Sequence, residues 1–137
     1  MRVPSRLFKV IAGVLVLCAV GLYAVFQFLS SPRVILKHAL HIQSIPKSVR
    51  NLKMGSDVWT DEVRCFYLTI APDDFTQLLV GRNYRTNSGP FETETMHMSP
   101  GAKVSGNICY RWQIEDASCD VCPDNSHEHV IIIFSAH

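Results

Sequence analysis

Val10 to Leu29 reads VIAGVLVLCAVGLYAVFQFL and carries no charge; its one clearly polar side chain, Gln27, lies near the end. As an α-helix, twenty residues at about 1.5 Å each span roughly 30 Å, the thickness of a bilayer's hydrocarbon core. A helix resting on a soluble core would show a polar stripe, and this one has none. The run therefore reads as a membrane anchor or uncleaved signal.

Two other readings compete. Arg2, Arg6 and Lys9 form the basic start of a cleavable signal, and Ala19-Val20-Gly21 is a tolerable cleavage site. Cleavage is disfavoured because the apolar run continues to Leu29, beyond what a signal core needs. A lipid-modified Cys18 is disfavoured by the bulky Leu17 before it. Lys and Arg prefer the cytoplasmic side, and the excess before the span places the N-terminus inside and the rest outside. The expected location is the bacterial inner membrane, with the C-terminal part periplasmic or extracellular. The chain has no Asn-x-Ser/Thr site that would favour a eukaryotic lumen.

Beyond the span remain about 107 residues, the size of one ordinary domain. From Ser30 onward the formal charge is −2, which argues against a nucleic-acid partner, since that needs a basic surface to neutralise phosphates. Arg33, Lys37, Lys47, Arg50 and Lys53 precede the first acid, Asp57. They are too dispersed for a polybasic lipid-binding cluster and read as a solvated connector.

The expected organisation is a basic segment 1–9, the anchor 10–29, a connector helix and linker 30–47, and one extracytoplasmic domain 48–137. Ser31 and Pro32 suit a helix start, so a short helix runs from Pro32 to about His41, with Ile35, Leu36, Ala39 and Leu40 as its apolar stripe. His38 and His41 are read as solvated. Ser48 to Met54 and Val63 to Ile70 are strands, the second with Phe66, Leu68 and Ile70 on one face and Cys65, Tyr67 and Thr69 on the other. Trp59, in the loop between them, reads as folding back over a core edge. Pro72, Asp73 and Asp74 open a second helix, with Phe75, Leu78 and Leu79 on its packing face, the acids as cap residues and Gly81 as C-cap. Arg82 to Asn107 reads as a functional loop, a weak hairpin around Phe91 to Met98, or a partly mobile segment. Its Met96-His97-Met98 carries soft ligands, but three adjacent residues are a common accident. Ile108 to Ile114 alternates as a strand, and Glu128 to Ser135 reads as a strand covered on both faces. The fold class expected is α+β: a single transmembrane helix, then one small domain with a mainly antiparallel sheet of about four or five strands and one or two packing helices.

The densest chemistry lies in the loop expected between those last two strands. Cys119-x-x-Cys122 places two thiols for one ion, and His127 and His129, two apart on a strand, face the same way. Together they are a candidate zinc or copper site. A thiol-exchange motif fits less well, because no apolar helix follows Cys122 and Asp120 and Asp124 would raise a neighbouring thiol pKa. The plainest reading is disulfide stapling in an oxidising compartment, with four outer cysteines and three pairings; Cys65–Cys109 with Cys119–Cys122 is one. No nucleophilic elbow, phosphate loop or His-Glu-x-x-His occurs. The function expected is non-enzymatic, with no resident cofactor: an envelope protein held by Val10–Leu29, whose outer domain binds a protein partner or plays a structural role. The alternatives are the Cys119/Cys122/His127/His129 metal module and, third, thiol exchange.

Overall fold

The computed structural model describes residues 5–57, 62–95 and 101–136. The first element, α1 (Ser5–Leu29), is a continuous helix. From Lys9 to Leu29 it is long and apolar enough to cross a membrane, and none of that face is buried within the chain. Leu17 and Leu22 are each 73% exposed, an arrangement water would not tolerate over six turns.

The helix α2 (Pro32–Leu40) follows at once. The Ser31 hydroxyl accepts from the Val34 N–H at 3.4 Å, Pro32 occupies the first turn, and His41 closes the helix in the left-handed conformation with φ 54°. Leu36, Ala39 and Leu40, at i, i+3 and i+4, are buried in the main core. The expected connector is thus a structural part of the domain, because its stripe is the lid on one sheet face.

Six strands form one antiparallel sheet in the order β1-β2-β6-β5-β4-β3: β1 (Arg50–Asp57), β2 (Glu62–Thr69), β3 (Arg85–Glu94), β4 (Lys103–Ile114), β5 (Ala117–Pro123) and β6 (His129–Ala136). The α+β class holds, with two more strands than the plainest sequence reading supplies. Residues 115–123, expected as a loop, contain β5, which separates β4 from β6 in the sheet. The Glu115-Asp116 turn reaches positive φ (45° at Glu115) without the Asn-Gly or Asp-Gly pair that announces such hairpins, so the sequence hid it. Likewise β3 lies in the segment expected as a loop or a weak hairpin. It is an edge strand whose side chains are mostly exposed, so it lacks the alternating apolar pattern and is held by its ladder to β4.

The two faces differ. On the first, Phe66 and Leu68 of β2, Tyr110 and Trp112 of β4, Cys119 and Val121 of β5, and Val130 and Ile132 of β6 pack beneath α2. A 3₁₀ helix at Pro72–Leu79 joins them through Phe75 and Leu78, in place of the expected α-helix. Asp73 and Asp74 stand in its first turn but make no side-chain cap. Asp74 instead accepts from the Ser48 hydroxyl at 2.5 Å and from Gln77 Nε2 at 2.7 Å. Gly81 is not the C-cap, which falls at Val80; a Cβ there would lie 2.1 Å from the Leu40 carbonyl oxygen. It lets the chain pass against the end of α2.

On the second face, Cys65 of β2 and Ile131 of β6 pack against Val104 of β4, with Phe91, Tyr67 and Ile133 around them. Strands β2 and β4 are not neighbours, so the sheet must curl to bring the far half of the β3–β4 hairpin over this face. Gly106 permits the crossing, since a Cβ there would lie 2.5 Å from the Pro123 carbonyl oxygen and 2.9 Å from the Phe91 ring. Central β6 is buried from both sides, as its unbroken apolar run implies; Val130, Ile131 and Ile132 are fully buried.

Candidate functional site: an arginine-lined cavity

The sequence-selected residues Cys119, Cys122, His127 and His129 do not come together. Cys119 and Cys122 lie on one strand three residues apart, so they project to opposite faces. Cys119 is buried beneath α2 beside Trp112, whereas Cys122 is disulfide-bonded across the β4–β5 pair to Cys109, with Cα atoms 4.3 Å apart. That bond replaces the pairing Cys119–Cys122 and leaves no thiolate at Cys122 for a metal. His127 stacks on Phe75 (ring centroids 4.8 Å apart) on the first side, while Nδ1 of His129 meets the Tyr67 hydroxyl at 2.8 Å on the other. The turn between them is organised by Asp124, whose carboxylate accepts from the Ser126 hydroxyl and the Glu128 and His129 N–H groups. Among the described residues no group of three or more His, Cys, Asp or Glu is placed to hold a metal ion. Burial first, and then Asp120, push the Cys119 thiol pKa up, which suppresses the thiolate that exchange chemistry requires. Met96-His97-Met98 and Trp59 lie outside the described residues.

A different constellation forms at the end of β4. Residues 80–85 run past its last turn and enclose with it a cavity of about 750 Å³. Arg82, Arg85 and Arg111 line it, together with Tyr84, Trp112, Asn83 and Gln113, and no acidic residue does. Each basic group is set differently. Arg82 lies over the Trp112 ring at 5.2 Å from its centroid and directs Nη2 to Nε2 of His41 at 2.7 Å. His41, expected as solvated, packs edge-on against Trp112 at 5.8 Å. Burial first, and then Arg82 and His38, lower its pKa, which keeps it the neutral acceptor that a guanidinium donor needs. Arg111 makes a two-pronged ion pair with Asp120, both contacts at 2.6 Å.

Arg85 is directly opposite Arg111 in the β3–β4 register and has no partner among the described residues. Like charges facing across a ladder are unfavourable. Beneath the cavity wall, Arg82 Nε, the Tyr84 hydroxyl and Trp112 Nε1 are shut off from solvent and poorly satisfied, with only a weak hydrogen-bonding interaction between Tyr84 and Trp112. They are the only such side-chain atoms among the described residues, and all three residues line this cavity. A poorly satisfied buried group ordinarily costs on the order of 1–3 kcal/mol, so this wall is held at some cost in stability. Burial first, then the neighbouring Cys119, raise the Tyr84 pKa, against smaller opposing effects of Trp112 and Arg82; the hydroxyl stays protonated and able to donate.

The mouth adds an apolar element. Outside α1, the only exposed large apolar side chains among the described residues are Val80 (75%) and Ile114 (47%), and both stand on its rim. In the sequence, the signal for this site was aromatic residues interleaved with arginine, in Asn83-Tyr84-Arg85 and Tyr110-Arg111-Trp112. The first lies in a segment without apolar alternation and the second in a strand whose pattern is dominated by its apolar face, so neither announces a shared cavity. Chemically the arrangement can recognise, through charge, hydrogen-bond donors and a ring; it has no nucleophile with an adjacent base. No protein-family model, no curated protein and no solved structure matches this chain.

Proposed function

We propose that this is a single-pass membrane protein of the bacterial envelope, N-terminus cytoplasmic, whose outer domain is a non-enzymatic binding module. The binding site is the cavity between residues 80–85 and the end of β4. One observation carries this reading: an open cavity is lined by three arginines, of which Arg85 has no partner among the described residues, and by the residues that hold the poorly satisfied buried polar atoms. Its concave form and aromatic wall also match how proteins hold ligands. The anchor keeps the module at the membrane surface, where an envelope component is its natural partner.

The test is a photoreactive amino acid in place of Ile114, at the rim, against one in place of Glu92, on exposed β3 outside the cavity. Irradiating intact membranes should yield an adduct from position 114 and none from position 92. Only unmodified monomer at both positions would sink the binding reading. Cytoplasmic rather than external labelling of a cysteine introduced at Glu92 would sink the orientation.

A further inference from the structure

Resting on that reading, we infer that the cavity takes the phosphate of an anionic amphiphile, with the attached apolar part lying over Val80 and Ile114. Three features select this chemistry. Three arginines line the wall and, among the described residues, an acid matches only Arg111, through Asp120, so the remaining charge favours an anionic occupant. The donors open to the cavity come from separate stretches, Asn83 and Arg85 from one and Gln113 from β4, and border the same void. A tetrahedral phosphate offers acceptor oxygens in several directions, whereas a planar carboxylate satisfies one fork. The third feature is the rim. Val80 and Ile114 are out in water, beside a cluster of guanidinium groups, and a free inorganic ion would leave them so. A phosphate carrying an acyl or alkyl part covers both. Arg85 is the group this occupant completes, because it neutralises the charge that faces Arg111 across the ladder.

Both phosphate sources, the free ion and the lipid headgroup, can be told apart with the full chain held in phosphatidylcholine nanodiscs. The readout is the indole N–H resonance of Trp112, assigned by its loss in Trp112→Phe, since the ring forms part of the cavity wall and lies under Arg82. The probes are dihexanoyl phosphatidylglycerol, dihexanoyl phosphatidylcholine and inorganic phosphate. The anionic lipid should shift the resonance saturably and bind at least about tenfold tighter than the zwitterionic lipid, the difference one charge-assisted contact makes, and than inorganic phosphate, which leaves Val80 and Ile114 uncovered. Arg85→Gln, on an exposed edge where folding is not at stake, should weaken it by about tenfold or more, and Val80→Ser should weaken the lipid but not the free ion. Equal affinity for inorganic phosphate and the lipid overturns the amphiphile. No shift with any probe, or a lipid shift indifferent to Arg85→Gln, overturns the phosphate site. In that event, a protein adduct at position 114 would leave the binding reading standing, and no adduct would remove it too.

Discussion

The two faces of the sheet solve the same problem by different means. The first is covered by α2 and the 3₁₀ helix and holds fifteen buried residues in one cluster; the second holds three and is closed by the curl of its own β3–β4 hairpin, clamped by Cys109–Cys122. A small domain with one helix-covered face has little apolar area to spare for a second. A covalent tie and a curled hairpin are the cheaper closure. The arginine cavity lies at the other end of β4, where Trp112 belongs to the helix-covered core.

Removing side chains from each face measures the asymmetry. On residues 31–137, Phe66→Ala should cost about 3–5 kcal/mol in chemical denaturation, since the ring is fully buried under α2. Replacing both Cys109 and Cys122 by Ala should cost about 3 kcal/mol for a closed loop of this length, with loss of Phe91 packing as the local sign. Ile131→Ala, equally buried but on the thin face, should fall near about 2 kcal/mol, the low end for such truncations, because the hairpin above it can settle. A cost for Ile131→Ala matching that of Phe66→Ala would erase the distinction between the faces.

How much of this was legible in the sequence follows from where each residue's environment is set. The apolar runs spoke for themselves: Val10–Leu29 as a helix with no soluble face, Val130–Phe134 as a central strand, and the alternation that placed Phe66 and Leu68 opposite Cys65 and Tyr67. Edge and clamp elements did not, since β3 and β5 owe their conformation to neighbours, and their Asp, Ser, Thr and Asn look like loop. Missing β5 had a particular cost. With residues 119–122 taken as a loop, Cys119 and Cys122 could be imagined side by side; as strand residues they separate by parity, and Cys122 meets Cys109 instead. The cavity was harder still, because it joins residues 80–85 to 111–114 across a ladder that no local pattern announces.

Two smaller perturbations probe how the thick face is joined to the cavity. Gly81→Ala sets a methyl against the Leu40 and His41 carbonyl oxygens, and the backbone must part from the end of α2. A destabilisation of about 1–3 kcal/mol is expected. Tryptophan emission should change with it, because Arg82, the next residue, lies over Trp112. A shift in stability with no change at Trp112 would show that the end of α2 and the cavity are independent.

The mildest perturbation is a proton. Because the folded pKa of His41 lies below its ordinary value of 6.5, the unfolded chain takes up that proton first. The stabilising contribution is therefore whole above about pH 6.5 and is lost as pH falls from there through the lowered folded value. Protonation would also turn Nε2 from an acceptor for Arg82 into a second donor and place two cations against Trp112. His38 adds to this repulsion, and no carboxylate ion-pairs with either group among the described residues. The effect is small, since His41 is largely exposed. Wild type should lose more thermal stability than His41→Gln between pH 7.5 and 5, an interval that spans the ordinary histidine midpoint and extends further on its acid side, where the lowered folded value lies. An NMR titration placing His41 at or above 6.5 would reverse the sign, and Arg82 would then need a carboxylate or a bound anion, rather than a neutral imidazole, to hold it over the indole.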